Sequence, residues 1–365
     1  MLIDIIAGAR PNFVKIAPIV HALEEERMKK AGLSYRLVHT GQHYDRKMSG
    51  DFFDQLQIPA PHVNLDAGSG TQAEQTGKIM MRYEKLLMEK PCGLTLVVGD
   101  VNSTMACALA AKKLNIKVAH VEGGIRSFDW SMPEEINRIV TDSITDYFFT
   151  TSKGANTNLL RTGIKESQLF FVGNTMIDTL LKNRPHFKQP EVWDELNLSA
   201  GEYMVMTMHR PSNVDQVEKL KGLIDTIMAN SGDLPIIFPI HPRTAAVFEQ
   251  VGLISERLKL VAPLSYLEFN YLVERAKAVL TDSGGITEET TVMGVPCLTL
   301  RDNTERPETC EIGTNELVGT DPEVISAALM RLFKGEWKKG EIPELWDGKT
   351  AGRIVKVLDR ISNKR

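Results

Sequence analysis

The chain has 365 residues, of which 42% are hydrophobic and 25% charged; this describes a soluble globular protein, and the length makes two domains the default. Lys and Arg number 43 against 47 Asp and Glu, and the net charge of −4 gives no sign of a nucleic-acid partner. No stretch approaches transmembrane length, and Cys92, Cys107, Cys297 and Cys310 lack metal-ligand spacing and read as reduced thiols of a cytoplasmic protein.

The opening Met-Leu-Ile-Asp-Ile-Ile-Ala breaks its apolar run at Asp4 and reads as a first strand rather than a signal peptide. Apolar runs then alternate with helical patterns. Strands are predicted at 2–7, 35–40, 94–98, 117–121, 147–151 and 169–172, and in the second half at 203–208, 236–240, 258–261, 278–282 and 295–300. Most of these runs are continuously apolar, as expected for parallel strands covered on both faces. The stretch 183–202, with Pro185 and Pro190, separates the halves. The expected fold is therefore α/β, with two doubly wound, Rossmann-like domains facing one another across a cleft. The predicted boundaries are 1–175 and 176–349, with a final helix at 350–365 crossing back to the first domain.

Polar motifs begin where these strands end, the place where open α/β sheets bind ligands. After the first strand, Gly8-Ala-Arg-Pro-Asn12 puts Arg10 at a helix start, where a cation calls for an anion nearby; Arg10, helped by Lys15, is a candidate phosphate contact. The motif is not the GxGxxG fingerprint, so no nicotinamide cofactor is inferred. His39 and His43 straddle a strand end and cannot share a helix face, so no metal site is readable. Gly41-Gln-His-Tyr-Asp45 opens a long polar loop whose chemistry the residues leave open.

Asp100 and Glu122 follow the next two central strands, and Glu134 opens a helix after Pro133. Glu134 with Arg138 also fits a plain i,i+4 surface pair. Taken together, three carboxylates on neighbouring loops suggest general acid/base work. In the second half, His209-Arg210 and His241-Pro-Arg243 end adjacent strands, and Arg301–Glu308 adds further arginines, Arg306 among them. Thr281-Asp-Ser-Gly-Gly-Ile-Thr-Glu-Glu-Thr290 turns from strand to helix at Ser283, Gly284 and Gly285, where free N–H groups and the helix dipole suit a diphosphate. Glu288 and Glu289 point about 100° apart on that helix, so one of them faces the ligand, with ribose hydroxyls as its natural partner. The second domain is thus expected to hold a nucleotide diphosphate, and the first to work on what is attached to it.

GARPNFVK, HTGQHYD, GDVNST, HVEGGIR, PEEINR, His209-Arg210, IHPR, DSGGITEE and RDNTERPE, in this order, resemble the non-hydrolysing UDP-N-acetylglucosamine 2-epimerases over residues 7–320. The resemblance implies a glycosyltransferase-B-like fold and interconversion of UDP-GlcNAc and UDP-ManNAc without a cofactor or metal. It also implies a homodimer that supplies precursors of cell-surface polysaccharide. By position, acid/base roles fall on Asp100, Glu122 and Glu134, with His209 as the active-site histidine. Diphosphate contacts fall on Arg10, Ser283 and Gly284, and the ribose contact on Glu289. Gln42, His43, Arg210 and His241 match a regulatory second substrate site. Two places depart from many bacterial members: His209-Arg-Pro-Ser-Asn213, where they read His-Arg-Arg-Glu-Asn, and Asp66-Ala-Gly-Ser-Gly70, where they carry an arginine. The competing expectations are an epimerase of a related UDP-2-acetamido sugar, a hydrolysing epimerase, a sugar transferase of the same fold, and a non-catalytic sensor.

Overall fold

The computed structural model describes residues 1–29, 32–41, 55–210, 213, 217–240, 248 and 256–363, with Arg10 and residues 27–29 described by their backbone alone. Two compact units emerge, Met1–Thr179 with Glu344–Arg365, and Leu180–Pro343. Each is built on one parallel sheet.

In the first unit the strands are β1 (Leu2–Ala7), β2 (Ser34–His39), β3 (Val63–Asn64), β4 (Leu94–Val98), β5 (Lys117–Val121), β6 (Tyr147–Thr150) and β7 (Leu169–Phe171). Their spatial order is β3-β2-β1-β4-β5-β6-β7. In the second unit β8 (Met204–Thr207), β9 (Ile236–Pro239), β10 (Leu258–Val261), β11 (Ala278–Thr281), β12 (Cys297–Thr299) and β13 (Asn315–Leu317) line up as β10-β9-β8-β11-β12-β13. The second is the 3-2-1-4-5-6 order of the doubly wound fold and the first extends that order by a seventh strand, so each sheet has a switch point where consecutive connections depart to opposite sides. These points lie between β1 and β4 and between β8 and β11. The α/β, two-domain reading of the sequence is met.

Alternating side chains explain why both faces of the second sheet are covered. Met204, Met206, Phe238 and Leu280 enter one apolar core with Leu220, Ile224, Ile325 and Leu329 of the helices Val217–Asn230 and Pro322–Phe333. Tyr203, Val205, Ile237 and Val279 enter the other with Leu272 and Val273 of the helix Tyr266–Arg275. In the first unit Ile6, Val38, Val97 and Val118 pack with Ile79 and Tyr83 of the helix Gln72–Glu89. The last helix, Thr350–Asn363, packs on the first, Arg10–Lys29. Asp178 caps that last helix from a distance, accepting the N–H groups of Thr350 at 3.1 Å and Ala351 at 2.7 Å. Trp346, 1% exposed, donates its indole N–H to the Thr151 carbonyl beneath the same junction.

Two edge strands, β3 and β13, were not expected. Val63–Asn64 and Asn315–Leu317 are too short and too polar to carry a pattern, and pair on one side only. The strand predicted at 295–300 is confined to Cys297–Thr299, because Pro296 has no N–H to give the ladder. Among the described residues, no helix is long and apolar enough to cross a membrane.

Candidate active site

The switch point of the first unit is held together by one amide. Asn12 accepts from the N–H groups of Gly8 and Ala9 at 3.2 and 3.0 Å and donates to the Val98 carbonyl at 3.1 Å, tying the loop after β1 to the end of β4. The next residue, Gly99, turns with φ +68°, and Glu122, at the end of β5, adopts φ +70° although it is not glycine. A non-glycine residue held there costs on the order of 1 kcal/mol or more and persists where the surroundings over-determine it. Here the surroundings include Lys15, whose Nζ lies 2.7 Å from Glu122 Oε2, with the glutamate only 3% exposed. A Cβ at position 99 would stand 3.2 Å from the Lys15 ammonium and 3.8 Å from that carboxylate, so the turn passes directly beside the ion pair.

Asp100, partly exposed, pairs with the Arg138 guanidinium, which also meets Glu135 Oε2 at 2.7 Å. Glu135, buried, accepts from the N–H groups of Ser127 at 2.9 Å and Phe128 at 3.1 Å. Glu134 stands exposed in the first turn of the helix Pro133–Ile144. The i,i+4 pair read between Glu134 and Arg138 is therefore replaced: one turn of helix carries Arg138 inward to Glu135 and Asp100, while Glu134 stays outside. Beneath these loops His120, wholly buried, places Nδ1 at 2.7 Å from Asp142 and Nε2 at 2.8 Å from the Gly99 carbonyl. Burial pushes the Asp142 carboxyl up, but the hydrogen bond and charge of His120, joined by Arg126 at 2.6 Å, outweigh it and hold it low. The sequence reading missed this layer, since His120 sits inside an ordinary apolar strand run.

In the second unit the register pairs Thr207 with Thr281 at the switch point, and their hydroxyls meet at 2.7 Å. One residue on, the buried Asp282 carboxylate accepts the backbone N–H groups of His209 at 3.1 Å and Arg210 at 2.9 Å and faces His209 Nδ1 at 2.8 Å. Burial acts to raise this carboxyl, and the donors of His209 and Arg210 prevail and lower it. The helix Gly284–Met293 then begins. The helices at 72 and 266 start with closed capping boxes, Thr71 with Glu74 and Ser265 with Glu268, whereas Ser283 makes no side-chain cap bond. The N-terminal turn of this helix thus keeps its donors for something else.

Arg301 faces that turn. Its Nη2 is 2.7 Å from Glu305 Oε2, while Nε and Nη1 are buried without a protein partner among the described residues. A Cβ at Gly284 would stand 2.6 Å from Glu305 Oε1 and 3.8 Å from Arg301 Nη1, which is why glycine occupies the position. Burial alone would raise Glu305, but Arg301 and then Arg306 bring it down to about 2. The two adjacent glutamates part as their helical spacing predicts. Glu288 turns to Arg306, with Nε–Oε1 at 2.5 Å, and Glu289 accepts from the Tyr266 hydroxyl at 2.8 Å. Glu289 is fully enclosed, and burial, reinforced by the neighbouring Glu288, raises its carboxyl to about 7 despite the Tyr266 bond. Arg306, chosen from the sequence as a ligand contact, meets the Glu288 carboxylate much as Arg301 meets Glu305, and Arg301, which the sequence reading did not single out, faces the open helix end. Tyr266 lies 23 residues before Glu289, and no local pattern announces their meeting.

The structure therefore gathers Lys15, Asp100 and Glu122 at one switch point, with Glu134 on the helix whose Arg138 reaches Asp100. It gathers His209, Arg210, Ser283, Gly284 and Gly285 at the other. Gln42, His43 and His241 lie outside the described residues, as does the Arg10 side chain.

The sequence model of the UDP-N-acetylglucosamine 2-epimerase family matches residues 25–359. The UDP-N-acetylglucosamine 2-epimerase of Methanocaldococcus jannaschii is 42% identical, over 98% of this chain and 99% of its own. Its crystal structure in complex with UDP-GlcNAc and UDP superposes with a TM-score of 0.87, covering 99% of this chain and all of that one. The UDP-2,3-diacetamido-2,3-dideoxy-D-glucuronate 2-epimerase of Pseudomonas aeruginosa is 37% identical, over 99% of this chain and 100% of its own.

Ligand-free stability should report on Glu289. Its raised carboxyl contributes stability that is present below its ordinary value of 4.5 and is lost as pH rises through about 7. Glu289→Gln is expected to remove this loss and gain roughly 3 kcal/mol on wild type between pH 4.5 and 8. Urea unfolding across that range checks it; parallel curves for the two proteins would refute it.

Proposed function

The chain belongs to the UDP-N-acetylglucosamine 2-epimerase family, and from that membership we propose that it interconverts UDP-N-acetylglucosamine and UDP-N-acetylmannosamine by inverting C2. The observation that carries this reading is the pair of carboxylates at adjacent strand ends of the first unit. Asp100 and Glu122 are each set against a different cation, Arg138 and Lys15. A transferase that only moves a sugar to an acceptor has no need of them.

The C2 hydrogen of an acetamido sugar is barely acidic, so its removal must accompany departure of the group on C1. A carboxylate takes the C2 proton, the C2–H electron pair becomes the C1–C2 double bond, and the C1–O bond breaks with its electrons on UDP. The products of this step are a glycal and UDP. UDP then adds back to C1 while C2 receives a proton on its opposite face. Inversion needs acid/base groups on both faces, and Asp100, Glu122 and Glu134 are the three proposed to supply them. Departing UDP carries growing negative charge on its diphosphate. The open helix end at Ser283–Gly285 and the unpaired guanidinium edge of Arg301 are suited to receive it. Glu289, held by Tyr266, is proposed to take the ribose hydroxyls, and His209 to exchange a proton with the leaving oxygen.

The Pseudomonas relative favours a second reading, epimerisation of a related UDP-2-acetamido sugar by the same residues. Family membership is also the ground for proposing a homodimer working in the cytoplasm.

Proton NMR in D₂O with UDP-GlcNAc, adding no acceptor, is expected to show UDP-ManNAc carrying deuterium at C2. Asp100→Asn should slow this at least ~100-fold, and near-normal turnover would remove Asp100 from the chemistry. Free ManNAc would mean hydrolysis; turnover of the diacetamido glucuronate alone would favour the second reading; an unchanged spectrum with both sugars would reject epimerisation. Arg301→Lys keeps the charge beside Glu305 but loses the fork. It should weaken UDP binding by about tenfold in calorimetry, the worth of one charge-assisted hydrogen bond; unaltered affinity would rule Arg301 out. Sedimentation should give a species of twice the 40.7 kDa chain mass, and a monomer at assay concentration would exclude the dimer.

A further inference from the structure

His209 leaves β8 two residues past Thr207, and Asp282 leaves β11 one residue past Thr281. Because the register pairs Thr207 with Thr281, the end of β11 lies beside the main chain that carries the histidine. Asp282 meets that histidine twice, at its backbone N–H (3.1 Å) and at its ring Nδ1 (2.8 Å). The Arg210 N–H at 2.9 Å and the Asn213 side-chain amide at 3.2 Å share the same carboxylate, so it accepts from three residues that follow β8. Arg210 Nε closes the clamp on the Asp282 carbonyl at 3.1 Å. The carboxylate is fully buried, whereas the histidine side chain is 62% exposed. One ring edge is therefore anchored inward, and Nε2, on the opposite edge, is presented outward. Asp282 is also the residue directly before Ser283, at the open end of the helix Gly284–Met293.

We propose that Asp282 is the positioning residue for His209: it holds the ring with its proton on Nδ1, so that Nε2 alone exchanges a proton with the departing oxygen of the nucleotide. This rests on the reading of His209 given above. As the C1–O bond breaks, its electron pair passes to the UDP oxygen and the Nε2 proton follows it, leaving a neutral Nδ1–H imidazole against the carboxylate. Re-addition returns the proton to Nε2. An ionised carboxylate on Nδ1 stabilises the imidazolium form before departure and after re-addition, and fixes the tautomer of the neutral ring between these steps. The residue whose carboxylate holds the histidine is also the one directly before the helix start at Ser283, so the proton donor and the proposed anion site are neighbours in the chain.

The test combines three readouts. Nitrogen-15 NMR of imidazole-labelled wild-type protein should show His209 protonated at Nδ1; a ring protonated at Nε2 alone would overturn the proposal, whether or not any variant folds. Asp282→Asn should lower kcat ~100-fold or more while UDP affinity measured by calorimetry stays within about threefold, because the helix end and Arg301 are untouched. Placed in a His209→Gln background, the same substitution should cost less than about threefold further, the signature of two residues acting as one. An equal loss in both backgrounds would make Asp282 a structural residue and refute the proposal. A wild-type protein that shows the Nδ1–H ring but epimerises no UDP-2-acetamido sugar would instead sink the functional reading, and with it the catalytic part of this one.

Discussion

Parallel strands that end side by side while their chains depart to opposite faces leave backbone groups that no neighbouring strand can satisfy. That constraint operates twice here, between β1 and β4 and between β8 and β11. Each unit answers it with one short polar side chain. In the first, Asn12 bridges the loop after β1 to the end of β4; in the second, Asp282 gathers the loop after β8. The difference between an amide and a carboxylate matters. The amide both donates and accepts and leaves its surroundings neutral, while the acid draws donors and cations toward it. One switch point is thereby suited to hosting carboxylates from nearby loops, and the other to collecting N–H groups and arginine.

Four enclosed carboxyl groups of these sites divide three to one. Asp142, Asp282 and Glu305 are all enclosed, yet their partners hold each in its ionised form. Glu289 is enclosed beside a second carboxylate and a phenol, and the balance falls the other way. A carboxyl group poised near neutrality with a hydroxyl already bound to it is suited to exchanging one hydroxyl partner for another. It is the exception among these four that stands where a sugar diol is proposed to bind.

Much of this was legible in the residues. Long apolar strand runs and motifs at their ends follow directly from a sheet covered on both faces, so the architecture and the positions of Asp100, Glu122, His209 and Ser283 could be read along the chain. What could not be read depends on contacts between distant segments. Nothing local distinguishes Arg301 from Arg306; only folding shows that the first pairs with Glu305 beside the helix start and the second with Glu288. Tyr266 merely follows the Ser265 of a capping box, with nothing to mark it as a partner for Glu289, and His120 hides in a strand. The adjacent Glu134 and Glu135 look interchangeable until the helix turns one of them inward.

The packing of the helix Thr350–Asn363 on the helix Arg10–Lys29 sets the order in which the chain can mature. The unit begun first on the ribosome is finished last, because its closing helix is made only after the whole of the second unit has been translated. The second unit is continuous in sequence and free to complete its core while the first waits with the groove beside residues 10–29 uncovered. Birth order and folding order are thus inverted for the half that bears the carboxylates, and that half is the one a truncation before residue 350 would leave open to proteases.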